Sequence, residues 1–233
     1  MDNINVNKAL LNFWDKAFAM TEEDMAGMRE QARGVAPEEL APSEKLAQAA
    51  ASLGACSKAL DYGCGNGWAA VIAAKSGCAS VTAVDMAEGA VNAARFTAEI
   101  FGAEVDCAHI DESWLGSVPQ GEYDGIICSN VLDVVPPETA GEIIEGLASA
   151  AAPGASVIIG LNYYISEETA KAKGIELEDG RCLFSDGILR LVSRTDGEWE
   201  ELFKPFFTVE RLEHFAWPGE EKETRRLFYL KKN

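Results

Sequence analysis

The sequence predicts a doubly wound α/β fold, a mostly parallel sheet of about seven strands with helices on both faces. Two observations carry this. Short apolar runs without polar alternation recur along the chain, with helical segments between them, which is the pattern of parallel strands buried on both faces. A glycine-rich turn, Asp61-Tyr62-Gly63-Cys64-Gly65-Asn66-Gly67-Trp68, joins the first such run to an alanine-rich helix. In this architecture ligands bind beyond the carboxyl ends of the strands, which is where that turn falls.

Each element has its own signal. Before residue 57 the chain reads as helices over 6–20, 22–33 and 43–53, with Pro37 and Pro42 separating the last two. The first strand is 58–62, and Trp68, Val71 and Ile72 share one face of a helix over 66–76. A second strand, 80–84, ends at Asp85; a helix over 87–101 places Val91, Ala94, Ala98 and Phe101 at helical spacing, with Gly102 as its C-cap. Strands follow at 104–109 and 123–129. A helix over 137–151 opens on a proline, is stopped by Pro153-Gly154 and leads to a fifth strand at 155–161. Beyond it, 181–184 and 188–193 flank Ser185-Asp186-Gly187 as a small β-hairpin insertion. Thr195 with Glu198 forms a capping signal for a helix over 195–203, and 206–215 and 224–231 read as the final strands.

Charge and cysteine usage narrow the function. Asp and Glu number 38 against 20 Lys and Arg, giving a net charge of −18 with no basic stripe. Nucleic-acid affinity rests on cations that neutralise phosphates, so neither a nucleic acid nor an anionic membrane surface is an expected partner. None of the six cysteines forms a CxxC pair, and with two histidines no metal site is expected. No basic leader precedes an apolar stretch, and no run approaches a membrane span, so a soluble cytoplasmic protein is the expectation.

Backbone N–H groups at a glycine turn before a helix favour a nucleotide-like ligand. The spacing here is D-x-G-x-G-x-G; a dinucleotide fingerprint requires a third glycine at 68 or 70, which are Trp and Ala. An acid two residues before the first glycine repels a pyrophosphate and suits a ligand with an amino group. Asp85, at the end of the second strand, is placed to accept a ribose diol, a feature that fits a nicotinamide dinucleotide equally well. Asp111-Glu112, after the third strand, are placed to meet an adenine edge.

ALDYGCGNGW, VTAVDMAEGAV, the Asp111-Glu112 region and YDGIICSNVLDVVPP together resemble the successive motifs of class I S-adenosylmethionine-dependent methyltransferases, small-molecule type, over residues 57–161. The resemblance implies a Rossmann-like sheet with an antiparallel last strand. It implies one domain: an N-terminal helical lid (1–56), a cofactor-binding core (57–161), and a substrate-side insertion with the final strands (162–233). The cofactor implied is S-adenosyl-L-methionine, with S-adenosyl-L-homocysteine as product and a small molecule as methyl acceptor. Asp61 is implied to hold the methionine ammonium, directly or through water, while Gly63 and Gly65 let the backbone approach. Asp85 takes the ribose, Met86 packs on adenine, and Asp111 meets the adenine amino group with Glu112 or Trp114 beside it. Ser129 and Asn130 border the methionine moiety.

The acceptor side is more open. Asp133 orients or deprotonates an acceptor, or else tethers the loop before Pro136; many relatives carry histidine near this place. Trp14 and Phe18 share a face of the first helix, either flanking the methyl group or packing as core. Asn162, Tyr163 and Tyr164 follow the fifth strand where acceptors bind. Arg181, Arg190 and Arg194 hold an acceptor carboxylate or are simply solvated. His109, His214, Trp199 and Trp217 read as structural, and Cys64 as a small side chain in a crowded turn. Rival readings are a nicotinamide-dependent oxidoreductase, a cofactor-binding partner module without catalysis, and a methyltransferase acting on protein side chains. Oligomeric state is not specified, because an exposed helix face and an interface face look alike.

Overall fold

A computed structural model describes residues 3–233, with side chains from Asn5 onward. Three helices precede the sheet: α1 (Asn3–Phe18), α2 (Glu22–Gln31) and α3 (Glu44–Ser52). Local capping sets the starts of the latter two. Thr21 and Asp24 exchange side-chain and backbone hydrogen bonds at α2, and Ser43 Oγ accepts from Leu46 N at α3.

Strands and helices then alternate: β1 (Lys58–Tyr62), α4 (Trp68–Lys75), β2 (Ser80–Asp85), α5 (Glu88–Phe101), β3 (Asp106–His109), α6 (Trp114–Ser117), β4 (Tyr123–Ser129), α7 (Pro137–Ala150) and β5 (Ala151–Leu161). The remainder comprises α8 (Glu167–Ala172), β6 (Cys182–Ser185), β7 (Ile188–Val192), α9 (Asp196–Phe203), β8 (Phe207–Phe215) and β9 (Arg225–Lys232). Seven strands pair in the order β3-β2-β1-β4-β5-β9-β8; β9 alone runs antiparallel, inserted between β5 and β8. The order reverses between β1 and β4, so a crevice opens above their carboxyl ends. The hairpin β6–β7 stands apart as a two-stranded sheet, its turn formed by Asp186 and Gly187 at φ 54° and 73°.

The uninterrupted apolar strands are explained by burial on both faces. Along β4, Ile126 and Cys128 face α7 and α9, while Ile127 faces α3 and α4; β5 and β9 divide in the same way. Leu46, Ala47, Ala49 and Ala50 bury α3 in this second layer. In contrast, α1 packs outside both layers, with Val6 and Leu10 against Leu189 and Val192 of the hairpin.

Some expected boundaries move. β5 begins at Ala151, not 155, because the register passes from Tyr123–Ala151 to Gly125–Ser156 through a bulge. Pro153 lacks the N–H that a regular ladder needs and is accommodated there, so Pro153-Gly154 distort the strand's start rather than separating it from α7. α4 starts at Trp68, two residues later than the periodicity suggested, because Gly67 N still bonds Cys64 O within the turn. The short helices α6 and α8 had no periodic signal at all.

Burial predicts a contrast in stability. Leu53, buried just after α3, costs about 2–5 kcal/mol when cut to Ala, while exposed Leu11 of α1 changes stability by about 0.5 kcal/mol or less. Urea denaturation of the two variants measures this.

Candidate active site

The crevice holds a cavity of about 770 Å³. Its floor is the glycine turn. Gly63 N and Cys64 N both donate to Val84 O, which ties the turn to the end of β2. Asp85 closes the latch: its carboxylate accepts from Gly65 N at 3.0 Å and from Ala87 N at 2.9 Å. A carboxylate offers about four acceptor positions, so Asp85 keeps capacity for hydroxyl donors facing the cavity it lines. Burial raises its pKa, opposed by the N–H groups of Ala87, Gly65 and Met86.

The roof is α1. Asp15 Oδ1 accepts from Gly89 N at 2.8 Å and fixes the helix over the start of α5. Phe18 then lies over Gly65, which has φ 52°; a Cβ there would stand 3.0 Å from Phe18 Cζ. Glycine at 65 therefore serves both the left-handed turn and the close approach of the aromatic roof. Trp14 stacks on Phe18 with centroids 5.9 Å apart, and both line the cavity.

Gly63, Gly65, Asp85, Met86, Glu112, Ser129 and Asn130 line the same space. Asn130 has φ 59°, and its Oδ1 is buried without a partner among the described residues. That oxygen has almost no accessible surface, so Asn130 lines the cavity through its other atoms. An S-adenosylmethionine-type ligand fits this wall: acceptor capacity for its hydroxyls at Asp85, an apolar shelf at Met86 and Leu115, and among the described residues no cation to repel its sulfonium. Among the described residues the wall carries four acids, Asp85, Glu112, Glu142 and Glu145, and no Lys, Arg or His.

Other candidates lie off the cavity. Asp61 is buried behind the turn, where its Oδ2 accepts from Ala70 N at 3.1 Å. It supplies the N-terminal cap that Gly67, lacking a side chain, does not give α4. Asp111 turns outward and caps Ser113 through Oδ1, leaving Glu112 on the wall. Tyr163 and Tyr164 are 37% and 45% exposed and do not line the cavity. His109 bonds Met86 O at 3.0 Å, and His214 bonds Asp196 at 3.1 Å. Arg181 pairs with Glu198, while Arg190 and Arg194 stack on Phe13 and Trp199. Cys64 lines the cavity, but burial first, then Asp61 and Asp85, push its thiol pKa far up, so it stays protonated.

Asp133 is fully buried beneath the wall. Asn162 N donates to its Oδ2 at 2.6 Å and Asn162 Nδ2 to its Oδ1 at 3.3 Å. Asn162 Oδ1 in turn accepts from Arg225 Nη1, whose other nitrogens bind Glu220. Glu220 also takes Trp217 N at 2.8 Å, and the Arg225 guanidinium lies 3.3 Å from the Trp217 ring centre. One polar chain thus ties the loops after β4, β5 and β8, with Trp217 set on the cavity wall at its end. The sequence reading placed Trp217 in the core and assigned nothing to Thr139, Glu142 and Glu145 of α7, which also line the cavity. Their spacing along one side of α7 is the only sequence signal they carry.

Burial, then the Asp85 charge, raise the pKa of Asp61 to about 7 against the Ala70 N–H that lowers it. A group with a folded pKa above its unfolded value of 3.8 stabilises the fold most below that value. The contribution is lost as pH rises toward 7. Asp61→Asn keeps an oxygen for Ala70 N–H and removes the buried charge. It should flatten the fall in Tm between about pH 5 and 7.5; an unchanged slope would assign the pH dependence elsewhere.

Residues 59–154 match the family model of a methyltransferase domain. The chain is 34% identical over 102 residues to a ubiquinone biosynthesis O-methyltransferase of Xanthomonas axonopodis pv. citri, covering 44% of this chain and 41% of that protein. It is 41% identical over 73 residues to a ribosomal protein L11 methyltransferase of Burkholderia mallei, covering 31% and 22%. The match thus spans less than half of either curated relative. Across nearly the whole chain the fold is similar to that of Burkholderia thailandensis 1,6-didemethyltoxoflavin-N1-methyltransferase, a structure with bound 1,6-didemethyltoxoflavin and S-adenosylhomocysteine (TM-score 0.63, 20% identity, covering 91% and 86%). With its sheet order, latched glycine turn and acid-ended second strand, the chain has the fold of the class I S-adenosylmethionine-dependent methyltransferases, and its residues 59–154 match the methyltransferase domain family.

Proposed function

We propose that the protein transfers a methyl group from S-adenosylmethionine to a small-molecule acceptor. The observation that carries this is the cavity wall: Asp85 with spare acceptor capacity, three further acids, and no cation among the described residues. Among the described residues no cation is there to hold a pyrophosphate. A cationic ligand with an amine and a ribose meets acids there instead. The enclosing roof of α1 favours a small acceptor over a protein side chain, which needs an open groove.

The cofactor, when bound, supplies an activated methyl on a sulfonium. The chain's own residues orient and exclude water. Asp85 holds hydroxyl donors, Met86 and Leu115 give the flat base a shelf, and Trp14 and Phe18 cover the turn. Alignment of this kind can lower a barrier by about 7–11 kcal/mol. A dedicated base is not part of this reading: both Asp133 oxygens are occupied by Asn162, and burial raises its pKa to about 6 despite those bonds and Arg226. Asp133 acts as the anchor of the loop chain. The activity therefore suits acceptors that are nucleophilic without help from a protein base.

Calorimetric titration with S-adenosylhomocysteine, with NADH as control, tests the cofactor. Binding of the first alone is expected, and Asp85→Ala should weaken it at least about tenfold, the worth of a lost charge-assisted hydrogen bond. Binding of NADH alone would move the protein to hydride chemistry; binding of neither would favour a partner module.

A further inference from the structure

Several aromatic faces of the chain are covered by its own cations. Arg190 lies over Phe13 at 4.0 Å, Arg225 over Trp217 at 3.3 Å and Arg29 over Phe96 at 4.8 Å. Trp14 and Phe18 on α1 differ: among the described residues no cation lies over either ring. Both line the cavity, and both are only partly buried. Trp14 leans on the hairpin cluster, but Phe18 packs against none of the apolar clusters among the described residues. It touches Trp14 and the glycine turn instead. Its Cζ, Cε1 and Cε2 lie 3.0, 3.4 and 3.8 Å from the place of a Gly65 Cβ. The ring therefore stands tip-down on the turn, and its faces look along the cavity.

Connectivity decides what meets those faces. Gly65 N is bonded to Asp85, the carboxylate that takes the ribose in the reading above. In S-adenosylmethionine the sulfur joins the ribose through its C5′ carbon. A ribose on Asp85 thus brings the sulfonium into the space beside Phe18. Aromatic faces attract cations through the ring quadrupole, most strongly where water is excluded. Phe18 is also the last residue of α1, whose carboxyl end carries partial negative charge.

We propose that Trp14 and Phe18 are specificity-determining residues that read the positive charge of the cofactor. They favour the sulfonium donor over the thioether product, which lacks the methyl group and that charge. Transfer of the methyl thereby loosens the protein's hold on its own product. The inference rests on the methyltransferase reading of the cavity and adds charge discrimination by the α1 roof.

The test uses the full chain and three ligands that share adenosyl and amino-acid parts. They are S-adenosylmethionine, S-adenosylhomocysteine, and sinefungin, in which a carbon bearing an ammonium group replaces the sulfonium. Glu112, Glu142 and Glu145 on the wall also attract cations, but they are exposed, so salt screens them. Calorimetric titration at about 0.5 M NaCl removes most of that contribution. Both cationic ligands are expected to bind the wild-type protein at least about fivefold tighter than S-adenosylhomocysteine. Phe18→Leu keeps apolar bulk, removes the ring, and touches no core cluster. It should cut that preference at least about threefold and leave S-adenosylhomocysteine affinity within about twofold. Trp14→Phe, which keeps an aromatic face, should retain the preference. Equal affinity for the three ligands in the wild-type protein would overturn the assignment, whatever the variants do. An unchanged preference in Phe18→Leu would also overturn it, as would an equal loss of all three ligands, which would make the ring mere packing. If none of the three binds the wild-type protein, the methyltransferase reading itself fails; if all bind alike, only this assignment does.

Discussion

The site depends on the carboxylate of Asp85. It stands at the end of β2 and reaches back to Gly65 N in the turn after β1 and forward to Ala87 N before α5. Two turns from different strands are thereby held at one spacing, and the crevice between them acquires a rigid floor. The arrangement keeps an acid where its charge is stabilised by oriented backbone N–H groups and where part of its acceptor capacity still faces the cavity. Phe18 can then close over Gly65, and α1 becomes the roof through the separate bond from Asp15 to Gly89 N.

The opposite wall is organised by a second polar device of a different kind. Asp133, Asn162 and Glu220 come from separate loops and Arg225 from the start of β9, and they satisfy one another. A buried network of this type contributes little net stability unless every member is paired, but it specifies geometry strongly. Here the geometry specified is the position of Trp217.

Much of the fold was legible because burial on both faces leaves apolar runs such as IIC in β4 and VII in β5, and because the caps at Thr21, Ser43 and Thr195 are local signals. The bulge at Pro153-Gly154 was not legible, since its effect depends on the partner strand's register. In the site, Asp85 could be placed from its position at a strand end. Adjacent residues in a turn face opposite ways, so choosing Glu112 over Asp111 required the Ser113 contact that turns Asp111 outward. For Asp133 the sequence offered a loop tether beside an acceptor role but not its partner, Asn162, 29 residues away; Trp217, fixed by a stacked arginine across a hairpin, carried no local signal for the cavity wall.

The most direct measurement is a crystal structure of the protein with S-adenosylhomocysteine. The ligand is expected in the cavity beneath α1, with its ribose hydroxyls on Asp85 and its adenine against Met86. A ligand bound outside the glycine turn, or one whose ribose makes no contact with Asp85, would contradict this placement.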